Sequence, residues 1–246
     1  MNINNTFFAG SYKEAWRSLI PAGLTEAETD FLQEMGALKP ESRVLDLMCG
    51  YGRHAIELGK RGVNVMAVDN LPEYIEEIQS IALEQSLPVN AAVADVLRFN
   101  PEDIYDAIIC MGNSFAFFDR ADALTILKSC SGRLKAGGCF VIDSWMIAEI
   151  AIRHFREKEW YYAGEYRCLL DYRYHFQPSR IESEQTLIAP DGSLEVLKGV
   201  DYIFSLDELE AMFREAGLRT AGLYSTPRKK KFVLGDSRIY IVAEKL

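Results

Sequence analysis

The sequence lacks the features that would tie it to a membrane, a disulfide framework or a nucleic-acid backbone. No stretch approaches the roughly 18 consecutive apolar residues of a membrane span, and the opening MNINNTFFAGSYKEAW has no basic start followed by an apolar run. The expected location is therefore the cytoplasm. The cysteines are odd in number and scattered (Cys49, Cys110, Cys130, Cys139, Cys168), with no C-x-x-C pair to suggest zinc or redox work. Buried free thiols are expected, and no metal site. Lys and Arg total 27 against 36 Asp and Glu, a net charge of -9 that argues against a phosphate backbone as main partner. With only three histidines, His54, His154 and His175, no Ser/His/Asp or Cys/His constellation is apparent.

What is present is an ordinary globular composition, 49% hydrophobic and 26% charged over 246 residues, enough for one sizeable core. A single domain over 1–246 is expected, with an N-terminal helical lid over 1–40 and a β insertion over 160–204. Thr25 to Met35 reads as a helix, with Thr25 and Glu28 spaced as a capping box and Gly36 ending it. Strands are then predicted at Val44–Leu47, Val63–Asp69, Val89–Val93, Tyr105–Met111 and Cys139–Asp143. Helices fall between them at Arg53–Lys60, Pro72–Glu84 and about Arg120–Leu134. Such alternation means an α/β fold, a doubly wound, mostly parallel, seven-stranded sheet.

After Asp143 the rhythm breaks into three longer strands, RCLLDYRYHF, RIESEQTLIA and SLEVLKGVDYIF, with turn chemistry at Gln177-Pro178-Ser179 and Asp191-Gly192. They form the small antiparallel insertion. A capping box, Ser205 and Glu208, opens one more helix, and strands Arg219–Ser225 and Ser237–Glu244 close the chain as an antiparallel hairpin. The basic run Arg228–Lys231 between them reads as a solvated tip that blunts the sheet edge.

The segment VLDLMCGYGRHAIELGKRGVNVMAVDN is the most informative. Gly50 and Gly52 lie where a strand passes into a helix, and Asp69 ends the next strand, where a carboxylate can accept hydrogen bonds from both ribose hydroxyls. These residues describe a nucleoside site at a topological switch point. Two cofactor classes compete for it, because Gly50-x-Gly52-x-x-Ala55 with Asp69 also satisfies the dinucleotide pattern of an NAD-binding Rossmann oxidoreductase. Asp46 inside the first strand, Asp95 after the third and the closing hairpin oppose that alternative.

In order and spacing, VLDLMCGYGRHA, Asp69, Ala94-Asp95-Val96, YDAIICMGNSFAFF and LKAGGCFVID resemble the successive motifs of class I S-adenosylmethionine (SAM)-dependent methyltransferases. Ile109–Phe118 is similar to the fourth-strand loop of glycine N-methyltransferase, and CGYGRHA to a bacterial group of small-molecule methyltransferases. The resemblance implies SAM as cofactor, methyl transfer to nitrogen or oxygen of a small acceptor, and specific contacts. Asp46, Gly50 and Gly52 would line the methionine moiety and Asp69 would hold the ribose. Asp95 and Val96 would read adenine, with Asn70 and Leu71 flanking it, and Met111 and Gly112 would lie near the sulfonium. Asn113 and Ser114 would face the acceptor. Met48 departs from the family, which has a small residue there, so the methionine end is expected to pack differently. Tyr12 and Trp16, at i, i+4, are candidates for an aromatic lid over the sulfonium and for acceptor contacts. A general base is needed only if the acceptor arrives protonated, and none is identified; His54, in the cofactor turn, is a minor candidate. A non-catalytic SAM-binding module is the second alternative.

Overall fold

The computed structural model describes residues 2–246. A 3-10 turn (Ile3–Thr6) leads into α1 (Tyr12–Leu19) and α2 (Leu24–Met35). There follow β1 (Arg43–Leu47), α3 (Arg53–Lys60), β2 (Asn64–Asp69), α4 (Pro72–Glu84), β3 (Val89–Val93) and β4 (Tyr105–Cys110). A second 3-10 turn (Ser114–Phe117), α5 (Arg120–Arg133) and β5 (Leu134–Ser144) complete the parallel part. Pro72 occupies the first turn of α4, where its missing N–H costs nothing.

The main sheet has the order β3-β2-β1-β4-β5, and its neighbouring strands are parallel. The order reverses between β1 and β4, so a crevice opens at their carboxyl ends. One face packs Phe31, Leu58, Ile75 and Ile78 from α2, α3 and α4, and the other packs Ile126, Leu127, Met212 and Phe213. The last two belong to α7 (Leu206–Glu215), which precedes β10 (Leu218–Tyr224) and β11 (Ile239–Lys245). β11 lies between β5 and β10 and runs antiparallel to both.

Between β5 and α7 the chain forms α6 (Ala148–His154) and a separate antiparallel sheet, β6 (Lys158–Ala163), β7 (Tyr166–Phe176), β8 (Ser179–Ile188) and β9 (Leu194–Tyr202). The insertion thus has four strands where the sequence suggests three. The extra strand, KEWYYA, hides its period because its outward positions are aromatic, Trp160 and Tyr162 being 65% and 57% exposed. The inner face of this four-stranded sheet packs Ala163, Cys168, Leu187 and Leu197 against Ala15 of α1.

The expected capping box at Thr25 is absent. Gly23, left-handed at φ 79°, precedes the helix, and Glu28 is fully buried and engaged in the charged cluster described below. The box at Ser205 and Glu208 is formed in both directions. The basic tip is exposed, Lys229 pairing with Glu34 and Lys230 with Asp236. The five thiols are free, and none of the described helices is long and apolar enough to cross a membrane.

Candidate functional site

A cleft of about 720 Å³ opens at the carboxyl ends of β1 and β4, roofed by the N-terminal segment and bordered by β9. β1 delivers Asp46, buried, with its Oδ2 lacking any hydrogen-bond partner among the described residues. Burial pushes its carboxyl up to about 8, and the Asp69 charge adds to this, while Arg53 and the Ala55 amide pull the other way.

The turn into α3 is built from left-handed residues: Met48 at φ 54°, Gly50 at 55° and Gly52 at 77°. This explains why a small residue suits position 48, since a side chain in that region carries roughly 1–2 kcal/mol of strain. Gly50 opens onto the cleft, where a Cβ would meet nothing closer than Tyr74 at 4.0 Å. Gly52 lies behind the lining. A Cβ there would come within 2.5 Å of Ile78, so its role is close packing of α3 on α4.

Asp69, at the end of β2, accepts from the Gly50 amide (2.9 Å) on Oδ2 and from the Leu71 amide (3.1 Å) on Oδ1. A carboxylate offers about four lone-pair sites, so each oxygen retains one for a ligand hydroxyl. Burial raises its pKa against these two hydrogen bonds. Asn70 lines the cleft and donates to the Asn5 carbonyl, whereas the Leu71 side chain is buried outside it. Asp95 and Val96 lie at the rim, Asp95 half-exposed and closing a turn through the Leu97 amide.

Met111, Gly112 and Ser114, after β4, line the opposite wall. The Gly112 amide donates to Asp143 Oδ1 at 2.6 Å, and no atom lies within 4 Å of where its Cβ would stand. Ser114 turns its hydroxyl to the Met111 carbonyl. Asn113 does not reach the cleft. Its carboxamide is consumed by Asp201 Oδ1 (2.9 Å), the Ser144 hydroxyl (2.6 Å) and the Trp145 amide (3.3 Å), tying β4, β5 and β9 together. Tyr12 and Trp16 do line the cleft, stacked with centroids 6.2 Å apart, and Trp16 continues onto Trp145 at 5.9 Å.

At the floor lies a charged cluster that is not apparent in the sequence, of which Arg53 and His54 line the cleft. Glu28 pairs with Arg53 (2.5 Å) and Arg238 (3.2 Å), meets His54 Nε2 (3.0 Å) and accepts from the Tyr240 hydroxyl (2.7 Å). Arg238 also binds Asp143, the residue that holds the Gly112 amide. His54 is committed to Glu28, with burial lowering its pKa. One signal was present: Glu28 sits one turn before Phe31 and Leu32, a charge on the apolar stripe of α2.

The donor set suits SAM. The unpaired Asp46 oxygen matches a cationic amino group, Asp69 a ribose diol, the open side of Gly112 a close backbone approach, and the ring faces of Tyr12 and Trp16 a sulfonium. Residues 44–138 match the family described as a methyltransferase domain. The chain is 33% identical over 141 residues to a glycine/sarcosine N-methyltransferase of Parasynechococcus marenigrum (strain WH8102), covering 54% of this chain and 48% of that protein. It is 29% identical over 164 residues to a glycine/sarcosine/dimethylglycine N-methyltransferase of Actinopolyspora halophila, covering 64% and 29%. The matched region thus spans less than half the length of either relative. A SAM-dependent methyltransferase structure from Clostridium acetobutylicum ATCC 824 shares the fold, with TM-score 0.80 and 19% identity over 95% of this chain and 96% of that one. Residues 44–138 thus match a methyltransferase-domain family, and the chain as a whole has the fold of a SAM-dependent methyltransferase structure.

Proposed function

We propose that the chain catalyses methyl transfer from SAM to a nitrogen or oxygen of a small-molecule acceptor. The observation that carries this reading is that Asp46, a buried carboxylate with one oxygen unpaired among the described residues, lines one cleft with Asp69 at the switch point between β1 and β4. Asp46 and Gly50 take the methionine end, Asp69 the ribose, and Asp95, Val96 and Asn70 the adenine. Leu71, Gly52 and Asn113 support these contacts from behind. Met48, Met111, Gly112 and Ser114 shape the wall beside the reacting centre, with Tyr12 and Trp16 opposite. The names of the relatives, N-methyltransferases of glycine and sarcosine, support a small acceptor.

SAM supplies an electrophilic methyl group whose leaving group is a neutral thioether, so the donor needs no further activation. The protein's contribution is alignment, and orientation of this kind is worth roughly 7–11 kcal/mol of barrier. The segment 1–40 acts as the lid and the insertion 160–204 as the cover of a single domain, closing the cleft against water and limiting the acceptor's size. The net charge of -9 fits a small acceptor better than a nucleic acid, and five unpaired thiols fit the cytoplasm.

Calorimetric titration with SAM and with NAD tests the cofactor, SAM binding and NAD not. Asp69→Ala should weaken SAM by about 1.5–3 kcal/mol, the worth of charged hydrogen bonds. Binding of NAD alone, or unchanged SAM affinity in Asp69→Ala, overturns the corresponding part of the reading.

A further inference from the structure

Arg238 stands one residue before β11 and does not line the cleft, yet two of the cleft's sides are held through it. Its Nε donates to Asp143 Oδ2 at 2.8 Å, with Nη2 on the same oxygen, and Nη2 also reaches Glu28 Oε1 at 3.2 Å. Both carboxylates are fully buried. Asp143 accepts the Gly112 amide on its other oxygen at 2.6 Å, and so fixes the left-handed turn (φ 77°) of the wall after β4. Glu28 spends its other oxygen on Arg53 and His54, the cleft-lining residues that open α3. The guanidinium also lies over the rings of Trp145 and Tyr240, 5.4 and 5.2 Å from their centroids, contacts that orient its plane.

Asp143 belongs to β5 and Glu28 to α2, so a group bonded to both sets the distance between the loop after β4 and the turn into α3. A planar guanidinium presents its N–H donors in a fixed fork and can face two carboxylates at set angles, which the point charge of a lysine cannot reproduce. Without Arg238 the one remaining hydrogen-bond partner of Asp143 among the described residues is the Gly112 amide. Burial then favours the neutral carboxyl, a weaker acceptor, and the loop loses its anchor. Resting on the methyltransferase reading, we propose that Arg238 is a positioning residue: by holding Asp143 and Glu28 at once it sets the wall beside the reacting centre and the cofactor turn in one mutual geometry.

Two readouts test this: the Gly112 amide resonance in isotope-labelled protein, assigned by its loss in Gly112→Ala, and calorimetric titration with S-adenosylhomocysteine. A short hydrogen bond to a charged acceptor holds the amide proton downfield. Arg238→Met keeps the side chain's bulk and removes its donors, so the resonance should move upfield and the ligand should bind at least about tenfold more weakly, the worth of one charged hydrogen bond. In Arg238→Ala, added methylguanidinium should enter the vacated space and restore both readouts, a response that a loss of packing elsewhere would not give. Arg238→Lys keeps a charge without the fork and guards against a variant that fails to fold; it should melt close to the wild type and still bind the ligand severalfold more weakly. Wild-type affinity in a folded Arg238→Met or Arg238→Lys, or an unmoved Gly112 resonance in Arg238→Met, overturns the proposal. Failure of the wild type to bind S-adenosylhomocysteine would instead sink the methyltransferase reading, and the Gly112 resonance would still decide whether Arg238 sets the loop.

Discussion

Binding of S-adenosylhomocysteine should change the proton inventory of the site, with a sign that reverses with pH. Asp46 is buried without a partner for Oδ2, and its carboxyl is pushed up to about 8. At pH 7 it is about nine-tenths protonated in the empty protein, and a bound ammonium would ionise it, releasing about 0.9 proton. The ligand's own amino group is that of a free amino acid, more basic than a peptide N-terminus, so at pH 7 it is already protonated and takes up almost nothing. Net release is therefore about 0.9 proton at pH 7. The release falls to about half a proton at pH ~8, where Asp46 is half ionised in the empty protein, and turns to a small uptake at higher pH, where the free ligand's amino group begins to deprotonate. Calorimetry in phosphate and Tris buffers reads this number as the slope of observed enthalpy against buffer ionisation enthalpy. In Asp46→Asn almost no proton exchange should remain at pH 7. Tight binding to the wild type with no buffer dependence at pH 7 would refute the pairing of Asp46 with the amino group.

Glu28→Gln should cost about 3–5 kcal/mol, because it leaves Arg53 and Arg238 facing a neutral group in a buried site. For a chain of this size that lowers Tm by roughly 6–20 °C in a thermal melt, and a loss under 1 °C would contradict the account. Against its burial, the contact with His54, and after it the charges of Arg53 and Arg238, hold the Glu28 carboxyl well below the usual range, so its stabilisation is present above its unfolded value of about 4.3 and is lost as pH falls below it. Acid-side urea midpoints should follow this, with a weaker slope in the variant. Asp46 has the opposite sign: the fold favours its neutral form, a contribution complete below about pH 3.9 and lost as pH rises through about 8. Between pH 6 and 9 the empty protein should therefore lose stability that Asp46→Asn retains. Gly52→Ala should destabilise folding by more than about 2 kcal/mol, adding the clash with Ile78 to left-handed strain. Gly112→Ala should cost only the strain, about 1–2 kcal/mol, and should weaken cofactor binding instead, as paired denaturation and calorimetry would show.

The parallel half of the fold was legible because its signals are local. Apolar runs such as VLDL and CFVID, glycines at the turn after β1 and Pro72 at a helix start each act within a few residues, and most predicted boundaries fall within a residue or two of the observed ones. β5 is longer than expected because Leu134–Gly138, ahead of the apolar run CFVID, are already part of the strand. The features that were missed depend on distant partners. The Glu28 carboxylate matches a capping box locally, yet its partners include Arg238 and Tyr240 at the far end of the chain. Asn113 has the composition of a ligand-facing turn, but residues 144, 145 and 201 claim its carboxamide.

The position of β11 bears on how the protein is made. Most of the cleft lining has been synthesised by residue 122, but the Gly112 amide is oriented by Asp143, and Asp143 is braced by Arg238 just before the final strand. That strand does not extend an edge; it enters between β5 and β10. Until it leaves the ribosome, Cys139–Ser144 present an unpaired apolar edge of the kind that recruits other chains. Ribosome-bound chains ending before Arg238 should thus need chaperone protection and bind the cofactor poorly, and emergence of Arg238 and β11 would both close the sheet and set the binding loop.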